Sequence, residues 1–308
     1  MIDTHCHLDV PAFADDIDDV VARATSAGVI GMLVPAIRPS MWPALAALVE
    51  KHRAAGMRLA IGIHPQVVPD LAPGEIGGER REGDVDARDS DAVDIDAIAA
   101  WIAREAIAYR AVAIGECGLD GATAQMPLQE ALFRAHVRAA RITGLPLVIH
   151  VLRAHDAAPR ILREELKRAS DTSPGDGSEA PLADGASRCA GVMHSYSGGA
   201  ELVDVYRALQ LAFSFAGPVS YANARKPVEA ARAIPPELLL AETDAPDQAP
   251  EGHRGGRSEP AFVAAVIHGL AAARGQTAEE IAALTTANAR RIFGAWSEAA
   301  LARTEPLP

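Results

Sequence analysis

Short hydrophobic runs alternate along the chain with segments whose apolar residues recur at helical spacing. Parallel strands are covered on both faces, so they are typically almost continuously hydrophobic, and runs of this length favour strands. The sequence therefore predicts eight strands, at residues 2–7, 29–36, 57–64, 111–118, 145–150, 190–195, 209–215 and 238–244.

The segments between these runs predict helices. In "DDIDDVVARATSAGV", residues 15–29, Ile17, Val20, Val21 and Ala24 fall on one helical face. Gly28 is suited to end that helix. Strands that alternate with helices form parallel βα units. The expected fold is therefore α/β, a single (β/α)₈ TIM-type barrel, and a doubly wound open sheet is the alternative.

Two stretches interrupt this alternation. Residues 73–94 and 169–187 are rich in Gly, Asp, Ser and Pro, which is typical of surface loops. We therefore predict one barrel over residues 1–296 with loop insertions at these two places. Residues 297–308 are expected to form a C-terminal tail.

Composition limits the classes of protein to consider. The 308 residues are 49% hydrophobic and 23% charged, as expected for a folded domain with a large core. The net charge of -12 argues against electrostatic coating of nucleic acid, which relies on clustered Lys and Arg. Charge is screened beyond about 8 Å at physiological salt, so a local anion site in a cleft stays compatible with this balance.

The chain carries no sign of a membrane or secretory segment. It contains no run of about 18 uncharged apolar residues, and its N-terminus lacks the basic and then apolar segment of a signal peptide. Its three cysteines are too scattered for a disulfide framework. We therefore expect a cytoplasmic protein, with no membrane and no obligate protein partner indicated.

Titratable side chains recur where the predicted strands end. His5 and His7 lie one residue apart in "IDTHCHLD", and on a strand such positions share a face. That octet alone fits two hydrogen-bonded histidines equally well. The C-terminal ends of barrel strands meet at one mouth, however, where further residues of this kind are expected to join them. These are His64, Glu116, His150, His194 and Asp244.

Burial of so many unpaired imidazoles and carboxylates would be costly, and a divalent metal ligates both groups together. The pattern therefore predicts a metal centre. A carboxylate has two oxygens, so Glu116 is suited to bridge two ions, while Asp244 is suited to ligate one and to accept the proton of the attacking water. Glu116 and Asp244 are therefore the expected catalytic residues. Two divalent ions would leave the site positive, which favours an anionic substrate such as a phosphate ester.

Seven motifs in order, "IDTHCHLD", "GIHP", "AIGECGLD", "LPLVIH", "HSYSG", "AETDAP" and "RSEP", resemble those of the TatD-type metal-dependent deoxyribonucleases of the amidohydrolase superfamily. The resemblance implies a phosphodiesterase with two divalent ions, Zn²⁺, Mn²⁺, Mg²⁺ or similar, that acts on DNA or a short oligonucleotide. It implies substrate contacts from His64, Arg153 and Arg257. The metal ligands that it implies are His5, His7, Glu116, His150, His194 and Asp244.

Two other functions compete with this one. The same metal centre is chemically suited to hydrolysis of a carboxylic ester or amide, including aminoacyl-tRNA deacylation, and the sequence does not separate these substrates. A barrel that keeps its ligands but acts as a scaffold is the non-enzymatic alternative. The complete ligand set, with Asp244 present, argues against the scaffold.

Overall fold

A computed structural model describes residues 1–72, 74–77, 93–172, 190–294 and 296. The predicted loops at 73–94 and 169–187 lie largely outside these residues, and the predicted tail at 297–308 lies outside them entirely. Within the described residues, no helix has both the length and the apolar character needed to cross a bilayer.

Eight parallel strands form one sheet in which each strand pairs with the next along the chain. Their bounds are β1 Ile2–Asp3, β2 Gly31–Pro35, β3 Met57–Ile61, β4 Ala113–Asp120, β5 Leu147–Leu152, β6 Gly191–Met193, β7 Leu211–Phe215 and β8 Leu239–Ala241.

The first and last strands also meet. Beyond β1, Thr4 N donates to Ala241 O at 3.2 Å, and His7 N donates to Ala245 O at 2.7 Å. Cys6 and Ala245 form an isolated parallel bridge. The sheet therefore curls into a barrel, which confirms the TIM-type prediction and excludes the doubly wound sheet.

Helices follow the strands, and those between successive strands pack on the outside of the sheet, while the last two come after the eighth strand. Val20, Val21 and Ala24 are buried on the first helix, as their spacing predicted. The helices are α1 Ile17–Ser26, α2 Trp42–Lys51, α3 Ile95–Ala108, α4 Met126–Thr143, α5 Ala157–Thr172, α6 Val203–Arg207, α7 Lys226–Ala233, α8 Val263–Arg274 and α9 Ala278–Phe293.

Some predicted boundaries differ from the observed ones. The first strand ends at Asp3 and does not reach residue 7, because the chain beyond it bonds to the segment after β8. Helix α5 runs to Thr172, four residues into the predicted loop at 169–187. Asp94, the last residue of the other predicted loop, caps α3 because its carboxylate accepts hydrogen bonds from Asp96 N and Ala97 N.

The barrel interior is filled near its N-terminal end by an apolar layer to which every strand contributes one residue. α9 and Trp296 cover this layer, and the Trp296 indole donates to Gly56 O at 2.7 Å. The members from the strands are Ile2, Leu33, Ala60, Ala113, Val148, Val192, Ala212 and Leu240.

Candidate metal centre

At the opposite end of the barrel, histidines and carboxylates from five strands converge. His5 and His7 follow β1, His194 follows β6 and Asp244 follows β8. Two of the predicted residues lie inside strands and not after them. Glu116 is within β4, and His150 is within β5. These two strands extend further toward the mouth than predicted, so residues in their middle still reach the same cavity.

Glu116 lies at the middle of this group, and its two oxygens face different histidines. Oε2 lies 3.1 Å from His5 Nε2 and 3.3 Å from His7 Nε2. Oε1 lies 2.7 Å from His194 Nε2 and 3.2 Å from His150 Nδ1. The two oxygens therefore face different imidazoles, while the rings of His5 and His194 stack on each other with their centroids 3.8 Å apart.

Asp244 extends the half of the group that contains His5. Its Oδ1 lies 3.6 Å from His5 Nε2 and 3.9 Å from His7 Nε2. Asp244 N donates to His5 O at 2.9 Å, so the backbone itself holds the end of β8 against the end of β1. Asp3 strengthens this joint because its carboxylate accepts hydrogen bonds from Thr243 N at 2.9 Å and Thr243 Oγ1 at 2.6 Å.

Burial and charge act in opposite directions on the two carboxylates. Burial alone would raise the pKa of Glu116, but the charge of the surrounding imidazoles, that of His194 foremost, outweighs it and holds that pKa well below its ordinary value. Burial would likewise raise the pKa of Asp244, yet His194 and His5 lower it overall. Both carboxylates are therefore ionised at neutral pH.

A second layer of polar residues faces the outer atoms of the histidines. His150 Nε2 lies 3.5 Å from Asp120 Oδ2, which accepts a hydrogen bond from Gln66 Nε2 at 2.8 Å. His194 Nδ1 lies 3.6 Å from Glu242 Oε1. Carboxylates in such places orient metal-ligating imidazoles. Asp120 and Glu242 were missed in the sequence, although both stand inside motifs quoted above, "AIGECGLD" and "AETDAP".

His64, expected as a substrate contact, lies within the same group, with its Nε2 2.9 Å from Glu116 Oε1. Its other nitrogen, Nδ1, accepts a hydrogen bond from Gln66 N at 3.1 Å. A neutral imidazole carries one proton, so Nε2 must hold it. With that proton, Nε2 is available to donate a hydrogen bond, and His64 also stands with Glu116 and His150 in a set of side chains that could hold a metal.

The two predicted arginine contacts lie outside the group. Arg257 binds Asp16 through both terminal nitrogens at 2.7 Å, and its guanidinium covers the ring of Phe13. Arg153 follows β5 with its side chain exposed and its backbone at φ 52°. The structure thus brings the six predicted ligands and His64 together, but not the arginines.

Divalent metal fits the atoms that this group presents. Both oxygens of Glu116 are buried without a hydrogen-bond partner, as are the outer nitrogens His5 Nδ1 and His194 Nδ1. Buried polar atoms without a hydrogen-bond partner destabilise the folded protein unless a ligand binds to them. Among the described residues, three sets of three ligand atoms lie within 4.8 Å of one another, and each set contains a carboxylate. The mixture of imidazole and carboxylate donors is one that Zn²⁺ and related ions accept.

A parallel barrel with histidines and carboxylates at its C-terminal mouth defines the class of metal-dependent TIM-barrel hydrolases. Residues 2–294 match the TatD-related DNase family. The chain therefore belongs to this family and is a metal-dependent hydrolase, as the motifs implied.

Individual relatives agree with this placement. The chain is 32% identical over 296 residues to the uncharacterized metal-dependent hydrolase YabD of Bacillus subtilis, covering 95% of this chain and 98% of the relative. It is 29% identical over 300 residues to the 3'-5' ssDNA/RNA exonuclease TatD of Erwinia tasmaniensis, covering 95% and 99%. The crystal structure of the TatD homologue YjjV from Escherichia coli superposes with a TM-score of 0.75 at 27% identity, covering 96% and 98% of the two chains.

Proposed function

We propose that this protein hydrolyses phosphodiester bonds of DNA or short oligonucleotides with two divalent metal ions that share Glu116. The observation that carries the proposal is the division of histidines between the two oxygens of Glu116. His5, His7, Glu116 and Asp244 would hold one ion. Glu116, His150 and His194 would hold the other.

The charge of this centre favours a phosphate group. Glu116 and Asp244 are the carboxylates within the metal-binding sets of the described residues, so two divalent ions would leave about two positive charges. When bound, the two ions supply Lewis-acid chemistry that polarises a phosphoryl oxygen and stabilises charge on the attacking and leaving oxygens. The exonuclease activity of the relative from Erwinia tasmaniensis supports the same substrate class.

The protein's own residues orient the substrate and move the proton. Asp244 is ionised and lies at the mouth with 13% of its side chain exposed, so it is placed to accept the proton of the attacking water. His64 Nε2 donates to a phosphate oxygen. Arg153 contacts the substrate from the exposed end of β5. Arg257 contacts the substrate only if a phosphate replaces Asp16, because the guanidinium of Arg257 is bound to the Asp16 carboxylate.

The test uses metal-depleted full-length protein reconstituted with Zn²⁺, Mn²⁺ or Mg²⁺. We expect hydrolysis of single-stranded DNA to require metal and bound metal to reach two ions per chain. In Glu116→Gln, metal content and rate should fall together while the fold persists. Glu279→Gln, an exposed carboxylate on α9, is the matched control.

Three results would contradict the proposal. Full activity after exhaustive metal removal would exclude the metal mechanism. Two ions per chain in Glu116→Gln would exclude the shared carboxylate. Turnover of a carboxylic ester or an aminoacyl-tRNA, with no turnover of any phosphodiester, would assign the centre to the other substrate class.

A further inference from the structure

A small pocket opens beside the metal centre, between the loops that follow β6 and β7 and the start of α7. Its volume is about 210 Å³. The walls are mostly apolar and include Tyr196, Phe215 and Val219, while Lys226 and Gln248 stand among them. Pockets for drug-sized ligands measure roughly 300–1,000 Å³, so this one fits a single small ring system.

One wall of the pocket is bonded directly to the metal centre. The Gln248 amide donates to Asp244 Oδ2, and it also donates to Ser195 Oγ at 2.7 Å. Ser195 lines the pocket and immediately follows the predicted ligand His194. A group attached to a phosphate at the centre therefore reaches this pocket without crossing the barrel mouth.

We propose that the pocket binds one nucleobase of the nucleotide next to the scissile phosphate, while Lys226 binds the adjoining phosphate. This inference rests on the proposed phosphodiesterase function and names the part of the substrate that the pocket holds. A base has an apolar face suited to the walls around Tyr196 and Phe215. None of the described residues that line the pocket is acidic, so an anionic backbone is not repelled there.

The polar side chains in the pocket are already hydrogen-bonded within the protein, so they offer few donors or acceptors to recognise the edges of a base. Tyr196 Oη donates to Gly199 O at 2.9 Å, and Ser197 Oγ donates to Val151 O at 3.1 Å. Sequence is read through unengaged donors and acceptors, whereas contact with the face of a base is tolerant of sequence. The pocket should therefore accept all bases with similar affinity.

Lys226 stands at the exposed rim as the first residue of α7. Among the described carboxylates, none forms an ion pair with it, in contrast to Arg257. Its ammonium is therefore available to a phosphate one step along the chain from the base in the pocket. Arg225, its neighbour, is also exposed but does not line the pocket, which makes it a matched control.

The experiment pairs a pocket-filling variant with a change in the substrate. Pro227→Trp places an indole at the pocket wall, and Glu229→Trp places the same side chain on the first turn of α7 away from it. Wild-type and Glu229→Trp proteins should cleave an oligonucleotide with a base at the cleavage position about 10- to 100-fold faster than the abasic analogue, measured as kcat/KM, the size of one base stack. Pro227→Trp should cleave both equally.

Binding provides a readout that is independent of catalysis. Thymidine, which has no phosphate, should bind the wild-type protein with or without metal and shift the methyl resonances of Val219 but not those of Val203 on α6. Pro227→Trp should not bind it. Lys226→Ala should raise the KM for a trinucleotide with kcat unchanged, and Arg225→Ala should not. If Pro227→Trp fails to fold, the Val219 shifts alone locate the nucleoside.

Failure of this inference and failure of the proposed function give different results. Phosphodiester hydrolysis that is indifferent to the base, together with no thymidine binding, overturns the pocket assignment and leaves the function standing. Thymidine binding that is lost in Pro227→Trp, together with no phosphodiester hydrolysis, keeps the pocket as a nucleoside site and overturns the function. Equal thymidine binding by Pro227→Trp and wild type also overturns the pocket assignment.

Discussion

The two ends of this barrel bury polar groups in opposite ways. At the N-terminal end, two buried side chains are satisfied within the protein: Trp296 donates to Gly56 O at 2.7 Å, and Arg58 donates to Met57 O at 2.7 Å. At the mouth, Glu116 is fully buried with neither oxygen hydrogen-bonded. The same eight strands supply both ends. The difference indicates that one end maintains the fold, whereas the other is completed by a ligand.

The largest expected effect is on catalysis at the mouth. Asp244→Asn keeps the shape and one ligating oxygen but removes the base, so the hydrolytic rate should fall by about 10²- to 10⁴-fold. Metal content and melting temperature should stay close to wild type. Rate, metal per chain and thermal unfolding are measured on the same sample. A folded, metal-loaded variant with the wild-type rate would show that Asp244 is not the base.

The opposite response is expected at the N-terminal end. Trp296→Ala removes a buried indole from the apolar layer, and such changes lower the free energy of unfolding by about 3–5 kcal/mol. Turnover per folded molecule should be unchanged, because the indole lies far from the mouth. Denaturant unfolding measures the loss of stability, and the hydrolytic rate per folded molecule is compared with that of the wild type. Loss of rate without loss of stability would contradict the division between the two ends.

His136 is a third kind of buried polar group, because both nitrogens of its ring have hydrogen-bond partners within the protein. Its Nδ1–H donates to Leu132 O, and its Nε2 accepts from Ile63 N at 3.0 Å. Burial lowers the pKa of His136 to about 4, below the ordinary value near 6.5. The unfolded state therefore takes up the proton first as pH falls, and the stability that neutral His136 provides above pH 6.5 is lost between pH 6.5 and 4.

The measurement compares wild type with His136→Gln by denaturant unfolding across that pH range. The stability advantage of wild type should shrink by about 3 kcal/mol on going from pH 7 to pH 4, following 1.36 kcal/mol per pKa unit. Metal content at pH 7 should be equal in both proteins. An advantage that does not change with pH would mean that His136 titrates normally in the folded protein.

The smallest effect is expected in the layer behind the histidines. Glu242→Gln keeps the size of the side chain that faces His194 but removes its charge, and changes of this kind weaken metal affinity by about 10- to 100-fold. Competition with a chelator of known affinity measures the change, with Glu279→Gln as control. Unaltered affinity would show that Glu242 holds only Ser195 and Ser214, from which its carboxylate accepts hydrogen bonds.

Local pattern accounts for most of the agreement between the sequence and the fold. Hydrophobic runs located all eight strands because a parallel strand is buried on both faces over its whole length. The ends of the strands were predicted less accurately where hydrogen bonds between distant segments decide them. At β1, the chain beyond the strand bonds to residues more than 230 positions away. His136 is fully buried, and its two ring nitrogens are bonded to Leu132 O and Ile63 N, contacts that helical spacing alone does not predict.

The sequence by itself determined the βα alternation, the residue types at the mouth and their order along the chain, since each follows from spacing within a short segment. Tertiary structure alone decided which atoms meet. Gln66 N bonds Nδ1 of His64, Asp16 binds Arg257 from 241 positions away, and the two oxygens of Glu116 face different histidines. The physical reason is that hydrogen-bond partners and burial depend on contacts between distant segments, which no local periodicity encodes.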